Sequence, residues 1–383
     1  MDIIPLIRLA YARGASDLHL AAMSPPDLRI DGAITSISDT PLTPDETRQA
    51  FDQLTTAEEK EEFARDLELD FAYSVPDLVR LRCNAAMHRG TISLSMRLIP
   101  VVVPTIEELN LPGICQRLVL EPRGLIIVSG PTGSGKSSTL AAMIEYLNCH
   151  EGRRIVTIED PLEYLFMNKQ SNIIQRELGN DTHTFAHALK HVLRQDPDVI
   201  MVGEMRDLET AAALAIAETG HLVLTTGHAP SSSQAVERVI DLFPINERAF
   251  AQARMASLLV GIMCQMLIPR AEEKGRVPAV EVMLANVAVK SLIREGKIHQ
   301  LPNVISTHTD EGMQTLDRAL IELYKKGIIA GKSLMALCKD RDEVVKIVGG
   351  DKLKDGEFKK ALLSSLSGEA GGGLKPPPSR IQL

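Results

Sequence analysis

Tryptophan is absent from the 383 residues, and aromatic side chains together make up only 3%. Stacking platforms for single-stranded nucleic acid depend on aromatics, so that class of function is disfavoured. The net charge of −8 disfavours it again, because contact with a phosphate backbone needs a basic surface. No apolar run reaches the ~18 residues of a membrane-spanning helix. The start, MDIIPLIRLAYARG, lacks the layout of a signal peptide, so a cytoplasmic location is expected. Cys83, Cys115, Cys149, Cys264 and Cys338 are scattered without a C-x-x-C pair, which supports neither a disulfide framework nor a cysteine zinc site. What is present is ordinary: 44% hydrophobic and 24% charged residues, in a chain long enough for two or three domains.

Along the chain two rhythms appear. Ile3, Ile4, Ile7 and Ala10 are spaced for a short amphipathic helix that Gly14 closes. DLHLA and DLRIDGAI read as short strands around a Ser24-Pro25-Pro26 turn. Thr43 is placed to cap a helix, with Pro44 at its first position and Asp45 and Glu46 in its first turn. LDFAYSV, LVRLRCNAAM and TISLSMRLI add three strands, making an α+β domain over residues 1–100. PVVVPT opens a linker, residues 101–118. Over residues 119–348 continuous apolar runs (GLIIVSG, RRIVTIED, DVIMVGE, HLVLTTG) alternate with helix-length segments. That alternation predicts a parallel sheet buried on both faces, hence an α/β fold. After about residue 240 the pattern is mostly helical, with one further strand candidate, RVPAVEVML. The tail, residues 349–383, ends Gly- and Pro-rich (GEAGGGLKPPPSRIQL) and is expected to be disordered at its end.

The chemistry starts at GLIIVSGPTGSGKSS. A strand runs into Gly130, Pro131, Thr132, Gly133, Ser134, Gly135, Lys136, Ser137 and Ser138, and a helical pattern follows. Glycines let successive N–H groups face a phosphate chain, and the helix N-terminus adds its positive end. Lysine at this spacing reaches the β- and γ-phosphates, and the Ser137 hydroxyl is placed to ligate Mg²⁺. Such a loop needs carboxylate from neighbouring strand ends. DVIMVGEMRD supplies Glu204 just past a strand, with Gly203 where an aspartate is usual, and IVTIEDPLEY supplies Glu159, Asp160 and Glu163. Taken singly these acids also read as a solvated turn. His228, in HLVLTTGHAPSSS, taken alone reads as an ordinary loop histidine.

Together, GPTGSGKSST, TIEDPLEY, RQDPDVIMVGEMRDLETA and AETGHLVL resemble the secretion-superfamily ATPases, and among them the PilT-type motors that retract type IV pili. The similarity runs from GASDLHL to GMQTLDRAL, and AVKSLIREGK is similar to the C-terminal segment of the retraction motors. The resemblance implies a PAS-like N-terminal domain, a RecA-like ATPase domain and a homohexameric ring that binds ATP and Mg²⁺ between subunits. It further implies work at the cytoplasmic face of the inner membrane against a pilus platform protein, with no nucleic acid involved.

In that picture Glu204 is the first choice for general base and Mg²⁺-side carboxylate, and Glu163 the second. Glu159 belongs to the acidic Asp box, and Arg82 and Arg97 reach a neighbouring subunit's phosphates. Without the resemblance those arginines read as outward strand charges. HLVLTTGHAPSSS resembles the His box, which implies that His221 and His228 lie near the γ-phosphate and the subunit boundary. The usual Gly-Thr-Leu-His-Thr is replaced by Thr225-Thr226-Gly227-His228-Ala229, so Gly227 is expected to loosen the backbone beside the imidazole, while Pro230 stiffens the exit. Either the motor itself, an accessory paralogue of it, or a nucleotide-binding adaptor with weakened ATPase fits this pattern.

Overall fold

The computed structural model describes residues 1–349, apart from 31, 77, 100–101, 205–206 and 273–274; the expected disordered end of the tail lies outside the described residues. Two compact units emerge, residues 1–105 with 140–203, and residues 106–139 with 204 onward.

The first unit begins with α1 (Ile4–Ala12), β1 (Asp17–Leu20), β2 (Asp27–Ile30) and β3 (Ala33–Ser36). The single run DLRIDGAI is thus a hairpin of two strands, with Gly32 at φ +82° in the turn. Helix α2 (Pro44–Leu54) starts at the predicted cap: Thr43 Oγ1 accepts from Glu46 N, and Glu46 accepts from Thr43 N. A second capping box, Thr56 with Glu59, starts α3 (Ala57–Asp66), and β4 (Glu68–Val75), β5 (Val79–His88) and β6 (Thr91–Ile99) follow. These six strands form an antiparallel sheet in the order β3-β2-β1-β6-β5-β4. Period-2 alternation turns Leu18, Met96, Cys83 and Phe71 to a core shared with Phe51 and Phe63, and leaves charged residues on the opposite face.

Helix α4 (Ile114–Val119), β7 (Gly124–Ser129), α5 (Lys136–His150), β8 (Arg154–Glu159), β9 (Asn172–Glu177), α6 (Phe185–Val192), β10 (Val199–Val202), α7 (Asp207–Glu218) and β11 (Leu222–Gly227) carry the alternating pattern. Then come α8 (Ser232–Asp241), α9 (Arg248–Leu258), β12 (Leu259–Pro269) and β13 (Arg276–Leu284). The remaining helices are α10 (Val287–Arg294), α11 (Leu301–Thr307), α12 (Leu316–Lys325), α13 (Gly331–Leu337) and α14 (Arg341–Gly349). In the second unit the strand order is β13-β12-β7-β11, and in the first unit β10, β8 and β9 lie side by side in that order. Strands β12, β7 and β11 pair in parallel, as do β10, β8 and β9, while β13 is an antiparallel edge. Every residue of β7 and β10 is buried, as expected of strands covered on both faces. The expected parallel α/β core is therefore present.

Two strands differ from the expected pattern. LVGIMCQMLIP, inside the stretch read as mostly helical, is β12, and NIIQRE is β9. A short apolar run carries no periodicity that separates buried strand from buried helix, and β12 becomes a strand because it pairs β7 on one side and β13 on the other.

Candidate functional site

The phosphate-type loop follows β7 and opens α5. Gly130 has φ +145°, and a Cβ there would lie 2.2 Å from the backbone oxygen of Gln265, so no other residue fits. Gly133 and Gly135 also have positive φ. Lys136 is only 9% exposed, and its Nζ donates to the carbonyls of Gly130 and Pro131 at 3.0 and 3.1 Å. A buried ammonium at the start of a helix, beside a glycine loop, is an arrangement of the kind that binds anions. Ser134 Oγ is buried and has no hydrogen-bond partner among the described residues, an orphan hydroxyl in the same loop. Gln265, from the unexpected strand β12, pins the loop: its Nε2 donates to Ser134 O at 2.7 Å, and its Oε1 accepts from Thr139 Oγ1 at 2.8 Å. No motif pointed to Gln265, because only the pairing of β12 with β7 brings it there.

In the same unit, β11 pairs β7 in register from Leu222↔Gly124 to Gly227↔Ser129. The loops leaving the two strands are thereby neighbours. His228 follows the end of β11, and its Nε2 lies 2.7 Å from Glu204 Oε1, with both side chains partly exposed. The imidazole donating to this carboxylate fixes the orientation of both groups. The backbone beyond His228 is clamped: Ser129 Oγ accepts from Ala229 N and donates to Ala229 O, each at 2.8 Å. Gly227 does not loosen this segment. It lies in the β7–β11 ladder, and a Cβ there would meet Ser129 Oγ at 3.2 Å, so glycine leaves room for the clamp.

His221 goes elsewhere. It precedes β11, its carbonyl accepts from Gly124 N, and its Nδ1 faces Thr219 Oγ1 at 2.8 Å. A strand of six residues separates it from His228, about 20 Å at the usual rise per residue. Within one chain His221 is therefore at the far end of β7 and β11 from the phosphate-type loop. A cavity of about 620 Å³ opens at that end, bordered by Arg123, Gly124, Glu218, Gly220 and Lys290, and no residue of the phosphate-type loop lines it.

In the first unit the acidic segment after β8 is tightly organised. Glu159 is 7% exposed and accepts from Thr157 Oγ1 at 2.6 Å. Burial pushes its carboxyl up to about 7, against the opposing pull of hydrogen bonds from Thr157, Gln175 and the Glu163 backbone. Glu163 itself has an exposed side chain. Glu177 at the end of β9 accepts from Leu162 N, and Arg80 of β5 is salt-bridged to the same carboxylate.

Arg82 and Arg97 are directly opposite each other on β5 and β6, both exposed. Like charges facing across a ladder repel unless an anion joins them. Arg97 Nε donates to Asp17 Oδ1 at 3.0 Å; Asp17 is 7% exposed, and hydrogen bonds from Ser16 and Arg97 hold its carboxyl below the usual range although burial opposes the shift. Asp17 went unremarked in the sequence, because its link to Arg97 spans eighty residues and appears only when β1 pairs β6.

The hydroxyl of Ser137 and the carboxylate of Glu204 are hard oxygen donors, of the kind that suits Mg²⁺. No helix among the described residues is long and apolar enough to cross a membrane.

The family model "Type II/IV secretion system protein" matches residues 5–300. The type IV pilus retraction ATPase PilT of Pseudomonas aeruginosa is 43% identical over 331 residues, covering 86% of this chain and 96% of that one. The type IV pilus ATPase PilU of the same organism is 38% identical over 368 residues, covering 96% of each chain. The crystal structure of the pilus retraction motor PilT with bound ADP superposes with a TM-score of 0.82 at 40% identity, covering 90% of this chain and 98% of that one. With a model match over most of its length and relatives this similar along their whole length, the chain belongs to the type II/IV secretion system protein family.

Proposed function

We propose that this chain hydrolyses ATP as a subunit of a hexameric motor that retracts type IV pili from the cytoplasmic face of the inner membrane. The observation that carries the proposal is the Glu204–His228 pair, set at the ends of strands beside a glycine loop that holds a buried lysine. In this reading residues 1–100 are the PAS-like domain that offers arginines to a neighbour, residues 101–118 the linker, and 119–348 the RecA-like ATPase domain.

The loop N–H groups and Lys136 bind the phosphates and offset their charge. Ser137 and Glu204 would hold Mg²⁺, which when bound would supply further neutralisation of the phosphate charge. Glu204 accepts the proton of the attacking water, and His228 orients the carboxylate through its 2.7 Å contact. Glu163 is the second candidate for that base. Arg82 and Arg97 act in trans on the neighbour's phosphates, with Asp17 fixing the direction of Arg97. His221, far from His228 along β11, serves the ring only at a subunit boundary.

Mixed rings test the shared site. Arg97→Ala and Glu204→Gln should each be inactive alone, yet their mixture should recover turnover at interfaces that combine an intact arginine with an intact carboxylate. An arginine finger contributes on the order of 10³-fold, so a small recovered fraction stands above background. Mixed hexamers confirmed by mass spectrometry but without recovered turnover would sink action in trans. A second reading, an accessory motor paralogue, is favoured by one observation: the alignment to PilU spans 96% of both chains, against 86% of this chain for PilT. Retraction that survives loss of this chain, driven by another motor, would decide for it.

A further inference from the structure

The loop that carries His228 is held at a second point by a group that no motif marks. Helix α8 begins four residues after His228, and the first N–H groups of a helix have no partner inside it. Ser231 Oγ caps Gln234 N, while Ser232 N donates to Glu281 Oε1 at 2.7 Å. Ser232 is fully buried and Glu281 is 6% exposed. A buried carboxylate at a helix N-terminus makes a charge-assisted hydrogen bond and meets the positive end of the dipole. Glu281 comes from β13, opposite Cys264 of β12, two strands away from β7 in the sheet order. Between the Ser129 clamp at Ala229 and the Glu281 clamp at Ser232 stand only Pro230, whose φ is fixed, and Ser231. The backbone bearing the imidazole is thus pinned twice within four residues.

The second oxygen of Glu281 receives Lys339 Nζ at 3.3 Å. Lys339 lies between α13 and α14, and its place there is set by Asp317 of α12, whose carboxylate accepts from Lys339 N at 2.8 Å and from Asp340 N at 2.8 Å. Two side chains therefore connect the C-terminal helices to the His228 loop.

We infer that Glu281 is a positioning residue for His228, and that Lys339 makes the firmness of the His228 loop depend on the C-terminal helical segment. The inference rests on the reading that His228 serves ATP hydrolysis. In the full-length chain, Glu281→Met removes the acceptor at similar length, and kcat should fall about 10-fold with KM for ATP unchanged, as expected for a lost charge-assisted bond. Glu281→Gln keeps an oxygen for Ser232 N and should recover most of that loss. Lys339→Met, at an exposed position, should lower kcat about twofold.

The double-mutant cycle with His228→Ala separates positioning from general support. Once the imidazole is gone, Glu281→Met and Lys339→Met should each cost less than a further factor of two, because a residue that acts through another loses its effect with it. The same fold-loss in both backgrounds, or no recovery by Glu281→Gln, overturns the role of Glu281. Lys339→Met with wild-type kcat overturns the C-terminal link. If His228→Ala alone leaves kcat unchanged, the reading of His228 fails first. If it abolishes turnover while Glu281→Met is as fast as wild type, only the present inference fails.

Discussion

Two loops leave neighbouring strands of one sheet, and they are held in different ways. The loop after β7 is shaped mainly by its own residues, three glycines at positive φ and a lysine turned back onto the carbonyls of Gly130 and Pro131, with one outside hold from Gln265 of β12. The loop after β11 has no such internal means. It is fastened from outside, by Ser129 of β7 at Ala229, by Glu204 at His228 and by Glu281 of β13 at Ser232. A loop whose work is done by main-chain N–H groups needs residues that allow an unusual backbone, and these stand consecutively in the chain. A loop that presents one side chain needs that side chain's base held still, and the groups that hold it come from wherever the sheet brings them.

The comparison breaks most visibly at Lys136. Lys136→Ala should lower kcat by at least about 10²–10³-fold, the usual cost of deleting one electrostatic contact to the reacting group, with the fold intact by circular dichroism. Turnover near wild type would remove the phosphate site from the β7 loop.

Next comes Glu204→Gln, which keeps the shape of the acid but cannot take a proton. ATP binding measured by a fluorescent analogue should persist while hydrolysis falls by about 10²–10⁴-fold. Normal hydrolysis in this variant, with loss in Glu163→Gln, would move the base to the segment after β8.

Ser129→Ala sharpens the contrast between the loops. It leaves Ala229 N–H buried without its acceptor, a cost of about 1–3 kcal/mol, so kcat should fall roughly 10-fold while nucleotide affinity, set by the other loop, stays within about twofold. An equal loss of affinity would show that the two loops are not separately held.

The smallest effect concerns stability. Glu159 has its carboxyl raised from 4.5 to about 7 by burial, so the folded chain binds this proton more tightly than the unfolded chain. Its contribution to stability is full below pH 4.5 and is lost as the pH rises through about 7. Glu159→Gln, always neutral, should therefore weaken the decline in unfolding free energy, measured by urea titration, between pH 5 and pH 8, by at most about 3 kcal/mol for this shift. An unchanged decline would mean that other groups dominate that window.

The sequence is legible where the physics is local. The N-cap at Thr43, the strands GLIIVSG and HLVLTTG and the helix after Lys136 follow from neighbours in the chain, and each is present. It fell short where identity depends on a distant partner. The apolar run of β12 has no period that separates strand from helix, so neither the strand nor Gln265, which helps hold the phosphate-type loop, is legible from neighbours in the chain. Gly227 was expected to loosen the His228 segment, and the close approach of Ser129 reverses that expectation.

By itself the sequence determined the alternation that makes a parallel sheet, the glycine loop with Lys136, and which acids and histidines stand at strand ends, because these depend on periodicity and on residues a few positions apart. The tertiary structure alone decided that His228 meets Glu204 while His221 stands at the other end of the strand, that Asp17 holds Arg97, and that Ser129 and Glu281 pin the loop between β11 and α8. Each of those is a contact between residues twenty-four to a hundred positions apart, or a strand end chosen by register. Hydrogen-bond geometry of that kind exists only once strands have paired.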